Sequence, residues 1–191
     1  MSSKASGRIK SLRVVLLAAG MALGLGAGAQ MPDGRPTPSG FDVPRWVSIK
    51  SSPARARRGP GLDHQIMWEY RAAGLPVQVV AETRDWRKVC DPEGNVAWVH
   101  RTITSGRRTA FNRAAQPLDL RSRPDEEAGV RARLAARAVI TLDRCEDGWC
   151  RLQSGRTEGW APAEALFGVQ EQAQCAASAR PGRAPERPPT H

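Results

Sequence analysis

Beyond its first 29 residues the chain carries no sustained apolar period of 3.6 residues, so helices are not the expected elements. What recurs instead are short apolar, β-branched runs bounded by turn residues. Pro76-Val77-Gln78-Val79-Val80-Ala81 and Ala138-Val139-Ile140-Thr141-Leu142 have the composition of half-buried strands, and Trp46-Val47-Ser48-Ile49-Lys50 reads as a first strand. Asp91-Pro92-Glu93-Gly94-Asn95 and Gln153-Ser154-Gly155-Arg156-Thr157 carry hairpin-turn chemistry. Glu164-Ala165-Leu166-Phe167 fits one short turn of 3₁₀ type.

These elements recur in order. Ala54-Arg55-Ala56-Arg57-Arg58-Gly59-Pro60-Gly61, then Asp85-Trp86-Arg87-Lys88-Val89, then Ala97-Trp98-Val99 form one series. Leu118-Asp119-Leu120-Arg121-Ser122-Arg123-Pro124-Asp125, Gly148-Trp149-Cys150-Arg151-Leu152 and Gly159-Trp160-Ala161 form the second. Pro60 and Pro124 are offset by 64 residues, Trp86 and Trp149 by 63, Trp98 and Trp160 by 62. The one-residue drifts belong in loops, where insertions are tolerated. The expected organisation is therefore all-β and duplicated: a first domain over 46–109 and a second over 110–169. Residues 30–45 are rich in Pro, Gly and Asp and read as a linker, and residues 170–191 as a disordered Pro/Arg-rich tail.

Residues 1–29 have the layout of a helical secretory signal peptide: Lys4, Arg8, Lys10 and Arg13 without an acid, an apolar stretch from Val14 to Leu25, then Ala27-Gly28-Ala29 as a cleavage site. The apolar stretch is short for a membrane span, so no stable span is expected after cleavage; an uncleaved anchor is the alternative. Export to a bacterial periplasm follows as the expectation. The chain's formal charge is +10. The leader holds four of these charges and the tail after Cys175 two, which leaves +4 on residues 46–175. So mild a charge is no nucleic-acid footprint, but it suits anionic wall polymer. The foldable length also excludes a TIM barrel or a typical doubly wound enzyme.

The Arg-x-Gly-Pro-Gly segment ending at Gly61, the strands of Trp86 and Trp149, and those of Trp98 and Trp160 before a terminal apolar turn together resemble bacterial SH3-like domains. Small exported proteins with two such domains in tandem share the layout. The resemblance covers Trp46 to Val169. It departs at Ala97, where glycine is usual, and at Arg123-Pro124-Asp125, where the first copy has Gly59-Pro60-Gly61. It implies a partly open five-stranded barrel in each copy. Relatives fused to wall hydrolases commonly bind peptidoglycan or its cross-bridge peptides, whereas the fold itself fixes no activity.

Cys145 and Cys150 flank Glu146-Asp147-Gly148-Trp149, so a hairpin can bring them to disulfide distance in an oxidising compartment. Cys90 and Cys175 complete an even count, either as a second bridge or as two free thiols. If Val89 and Leu152 point inward, alternation puts Trp86 and Trp149 on the outer face, and Trp98 and Trp160 opposite Val99 and Ala161. Outward Trp rings make apolar platforms for sugars or peptide side chains, rimmed by Arg87, Lys88, Arg151 and Arg156. The alternative is that bulges or edge packing tuck the rings under loops or between the copies. A single tyrosine, Tyr70, argues against a polyproline groove. No catalytic constellation, metal-ligand spacing or cofactor motif stands out: Cys90 and His100 lack a third, orienting group. The expectation is a non-enzymatic envelope-binding module without cofactor, directed at peptidoglycan or its peptides. Alternatives are an adaptor for another envelope protein and, more weakly, an accessory to a wall hydrolase. Oligomeric state is open.

Overall fold

The computed structural model describes residues 29–176. The expected leader, apart from its last residue, and the tail beyond residue 176 lie outside the described residues. Among the described residues there is no α-helix, and no helix long and apolar enough to cross a membrane. Within the described residues fourteen strands form two seven-stranded sheets in which every pairing is antiparallel.

The first sheet contains β1 (Arg45–Ile49), β2 (Ala54–Arg57), β3 (Ile66–Tyr70), β4 (Pro76–Glu82), β5 (Trp86–Cys90), β6 (Val96–His100) and β7 (Thr104–Ser105). The second contains β8 (Thr109–Asn112), β9 (Leu118–Arg121), β10 (Val130–Leu134), β11 (Val139–Glu146), β12 (Trp149–Ser154), β13 (Thr157–Pro162) and β14 (Leu166–Phe167). The spatial orders are β3-β2-β6-β5-β4-β1-β7 and β10-β9-β13-β12-β11-β8-β14, which are one order displaced by seven strands. The duplication read from the Trp spacing is thus a duplication of topology. Each sheet has two strands more than the five implied by resemblance, and β7 and β14 are only two residues long.

Local chemistry accounts for the connections. Asp147 and Gly148 both have positive φ (47° and 78°) in the two-residue turn between β11 and β12, the hairpin geometry that Asp-Gly favours. In the β5–β6 turn Asp91 accepts from the Glu93 and Asn95 amides at 3.1 and 2.8 Å, and Gly94 takes φ 80°. Register shifts fall between Val79 and Ala81 in β4 and between Leu142 and Arg144 in β11, which are equivalent positions. Such bulges bend a strand and let a sheet curl onto itself. Pro76–Val80 is buried without alternation because Val77 and Val79 enter the core while residues 172–174 cover Gln78 on the other face.

One core gathers Val47, Ile49, Val77, Val79, Val89 and Val99; the other gathers Leu120, Leu134, Ile140, Leu142, Leu152 and Leu166. The first core crosses the joint: Phe111 and Phe167 of the second sheet belong to it, and Trp46 meets Phe167 edge-on at 4.7 Å. Residues 30–45, read as a linker, also carry buried groups: Met31 and Val43 pack into the first core, and Ser39 donates to Glu82 at both amide and hydroxyl. Residues 170–174, assigned by expectation to the tail, are fastened to the first sheet. Trp46 Nε1 donates to the Gln170 carbonyl at 2.6 Å, and Gln78 exchanges bonds with Gln172 O and the Gln174 amide at 2.8 and 2.6 Å. Cys175 ends the segment in a disulfide with Cys90, which decides between the two alternatives for that pair.

Candidate functional site

A groove opens on the outer face of each sheet, and the two lie at equivalent positions. The first, of about 340 Å³, is lined by Pro53, Arg55, Arg57, Leu62, Trp86, His100 and Ile103. The second, of about 620 Å³, is lined by Gln116, Pro117, Leu118, Asp119, Arg121, Glu126, Arg133, Trp149 and Pro162. The 64-residue offset carries Pro53 to Pro117, Arg55 to Asp119, Arg57 to Arg121 and Leu62 to Glu126; Trp86 maps to Trp149, and His100 to Pro162.

One wall of each groove is a loop pinned by an arginine. Arg57 donates through Nη1 to the carbonyls of Leu62 and His64 at 2.9 and 2.7 Å. Arg121 does the same to Ala128 at 2.8 Å. The loops close alike, Arg58 N to Gln65 O at 3.0 Å and Ser122 N to Gly129 O at 2.9 Å. In the first loop the His64 imidazole lies where a Cβ on Gly59 would stand, 2.5 Å away, so that glycine is required for the loop to fold over its own histidine.

The floor is the tryptophan that starts the strand after a tight connection. Trp86 is held by its amide and carbonyl to Thr83, at 3.3 and 2.8 Å, and meets the His100 ring edge-on at 5.2 Å. His100 in turn caps the 3₁₀ turn Arg101–Ile103 by accepting from the Thr102 amide. Trp149 sits at the tip of the β11–β12 hairpin, opposite Glu146, with the Cys145–Cys150 disulfide as the next cross-strand pair. That bridge therefore fixes the turn that presents Trp149.

The sheets put Trp86, Trp98, Trp149 and Trp160 on the outward parity, with Val89 and Leu152 fully buried inside. Trp86 is nonetheless 9% exposed, so it is a floor rather than an open platform; Trp98, Trp149 and Trp160 are half-buried. Trp98 lies in register between Lys88 and Arg57, Trp160 between Arg151 and Arg121. Arg144 also covers the Trp160 ring at 5.2 Å. Lys88 shares the outer face with Trp86, and its burial pushes the ammonium pKa down. Arg87 does not: it has the opposite parity, bonds Thr104 Oγ1, and is held below the usual guanidinium range by burial and by Arg45 and Arg101. Arg151 pairs with Glu158 at 2.6 Å. Arg156 lies at the β12–β13 turn, at the far end of β12 from Trp149.

Sequence reasoning missed Pro53, Arg55, Arg57, Leu62, Pro117, Asp119, Arg121, Glu126 and His100 as groove residues. The signal was present in the 64-residue offset, which applies to every residue from Pro53 to Gln65 and not to the proline alone. Among the described residues no three His, Cys, Asp or Glu side chains gather to hold a metal ion. What the grooves offer is apolar and aromatic surface edged by charged side chains.

A family model described as bacterial SH3 domain matches the chain twice, at residues 50–106 and 114–168. No curated protein matches it. Among solved structures it is similar to NlpC1 from Trichomonas vaginalis at 14% identity and a TM-score of 0.31, covering 66% of this chain and 46% of that one. NlpC2 from the same organism gives 13% identity and a TM-score of 0.29, with 66% and 49% covered. The chain thus spans less than half the length of either solved protein.

Proposed function

The chain belongs to the bacterial SH3 domain family, and on that premise we propose that it is a non-enzymatic binding module of the cell envelope that recognises peptidoglycan or its peptides. The observation that carries this reading is the pair of grooves at equivalent positions, each floored by a Trp and walled by an arginine-pinned loop. Two linked grooves of unlike lining suit a polymer that offers both sugar and peptide, and linkage raises avidity by about 10²–10⁴ when both are occupied at once. Two disulfides are compatible with a location outside the cytoplasm, which supports this reading. The adaptor reading has less support. The edge strand β10 exposes Arg131 and Arg133, and charge on an edge opposes addition of a foreign strand.

The test is retention of the chain from Gln30 onward on purified sacculi at low salt. The wild type is retained, and Trp86→Ala with Trp149→Ala, confirmed folded by melting, is released. An absence of wild-type retention ends the peptidoglycan reading. Crosslinking in cells that recovers protein and no glycan transfers it to the adaptor.

A further inference from the structure

We infer that the two grooves are not interchangeable: the first takes an anionic, carboxylate-bearing peptide and the second does not. The inference rests on the wall-peptide reading and assigns the ligand chemistry within it. Its basis is a difference of charge at equivalent positions. Arg55 in the first groove is Asp119 in the second, and Leu62 is Glu126. No acid lines the first groove, while Arg55 and Arg57 both do. In the second, Arg121 and Arg133 are matched by Asp119 and Glu126, and Arg133 is already paired with Asp119 at 3.0 Å.

Arg57 of the first groove is available, and Arg55 is paired only with an acid outside the groove lining. Arg57 spends only Nη1 on the loop, and on neutral carbonyls, so its charge is not cancelled; among the described residues no protein group takes its Nε–Nη2 edge. That edge offers two parallel N–H donors, the geometry a carboxylate matches. The Arg55 side chain is 63% exposed, and its counter-ion Glu69, 3.6 Å away, is not part of the groove lining. Around the cations, Leu62 is 77% exposed at the loop tip, and Trp86 and Ile103 complete an apolar pocket. The fitting ligand therefore carries a carboxylate next to a small apolar side chain. The same ligand entering the second groove meets Asp119 and Glu126, like charges that oppose it.

The test uses the chain from Gln30 onward and stem peptides released from sacculi, either with free carboxylates or with those carboxylates converted to amides. Binding is followed by calorimetry and by amide shifts. Free peptides bind with a stoichiometry of one and shift the first groove; amidation or Arg55→Glu weakens binding about tenfold or more, as expected for a lost charge-assisted hydrogen bond. Arg55→Lys, which keeps the charge, recovers part of the loss. Asp119→Arg raises the stoichiometry to two. Equal binding of amidated peptides, an Arg55→Glu chain of unchanged melting that binds as wild type, or two sites in the wild type each overturn the inference. If sacculi still retain the chain, the wall reading survives that failure. Free peptides that bind in the first groove without retention on sacculi keep the assignment and end the wall reading.

Discussion

The Cys90–Cys175 bridge joins residues 85 apart and encloses the whole second sheet, whereas Cys145 and Cys150 are 5 apart. Cross-linking lowers the entropy of the unfolded chain by an amount that grows with the logarithm of the closed loop. The long bridge is thus worth about 4–5 kcal/mol and the short one about 2 kcal/mol, both as upper values because residual structure in the unfolded chain reduces them. The long bridge also fastens the segment that Trp46 and Gln78 hold against the first sheet. Cys90 is fully buried, so the suitable replacement is the pair Cys90→Ala with Cys175→Ala, which introduces no buried hydroxyl. Equilibrium urea unfolding of this chain, of Cys145→Ala with Cys150→Ala, and of the wild type gives the comparison. Loss of the long bridge should cost about 2–3 kcal/mol more than loss of the short one. Equal losses, or the reverse order, refute the reasoning from loop length and with it the role of the bridge as the clasp of both halves.

Three further changes probe the packing. A Cβ on Gly159 would stand 2.8 Å from Leu120 Cβ and 3.1 Å from the Arg121 carbonyl, so Gly159→Ala should destabilise by about 1–3 kcal/mol in urea unfolding; a neutral result means that β9 and β13 lie further apart than described. Asn112 is fully buried and its amide donates to the carbonyls of Gln116 and Ala135 at 2.9 and 3.1 Å, so Asn112→Ala should cost about 1–3 kcal/mol by leaving those acceptors unmet, read from the same curves. Glu82 has its carboxylate pKa raised by burial but brought to a net lowering by bonds from Ser39 and Arg45. A lowered carboxylate pKa stabilises the fold above the ordinary glutamate range and ceases to do so as pH falls through the lowered value. Melting temperature should therefore drop on acidification through that window, and Glu82→Gln should lower it at neutral pH and flatten this part of the profile; an unchanged profile removes Glu82 as the anchor of residues 39–45.

The features legible in the sequence were those set by neighbours along the chain. Asp147-Gly148 and Asp91 to Asn95 specify their own turns, and the Trp spacings specify the duplication. Strands β3 and β10 escaped because Ile66–Tyr70 and Val130–Leu134 are short edge strands whose burial does not alternate. The Cys90–Cys175 pairing and the joint through Phe111 and Phe167 depend on how the second sheet meets the first, a contact no local pattern encodes. The grooves lay between these cases. Trp86 and Trp149 were singled out, but Arg55, Arg57, Asp119 and Arg121 join them only through the pairing of β2 with β6 and of β9 with β13. Trp86 differs from the platform expectation because His100 packs edge-on against its ring.

The account stands on the claim that ligand enters the paired grooves. Mapping amide shifts of the isotopically labelled chain during titration with soluble wall fragments tests this most directly. The account predicts shifts concentrated at Arg55, Arg57, Leu62, Trp86 and His100, with any effect in the second sheet centred on Trp149. Shifts gathered instead on the joint around Trp46 and Phe167, or along β10, would contradict it.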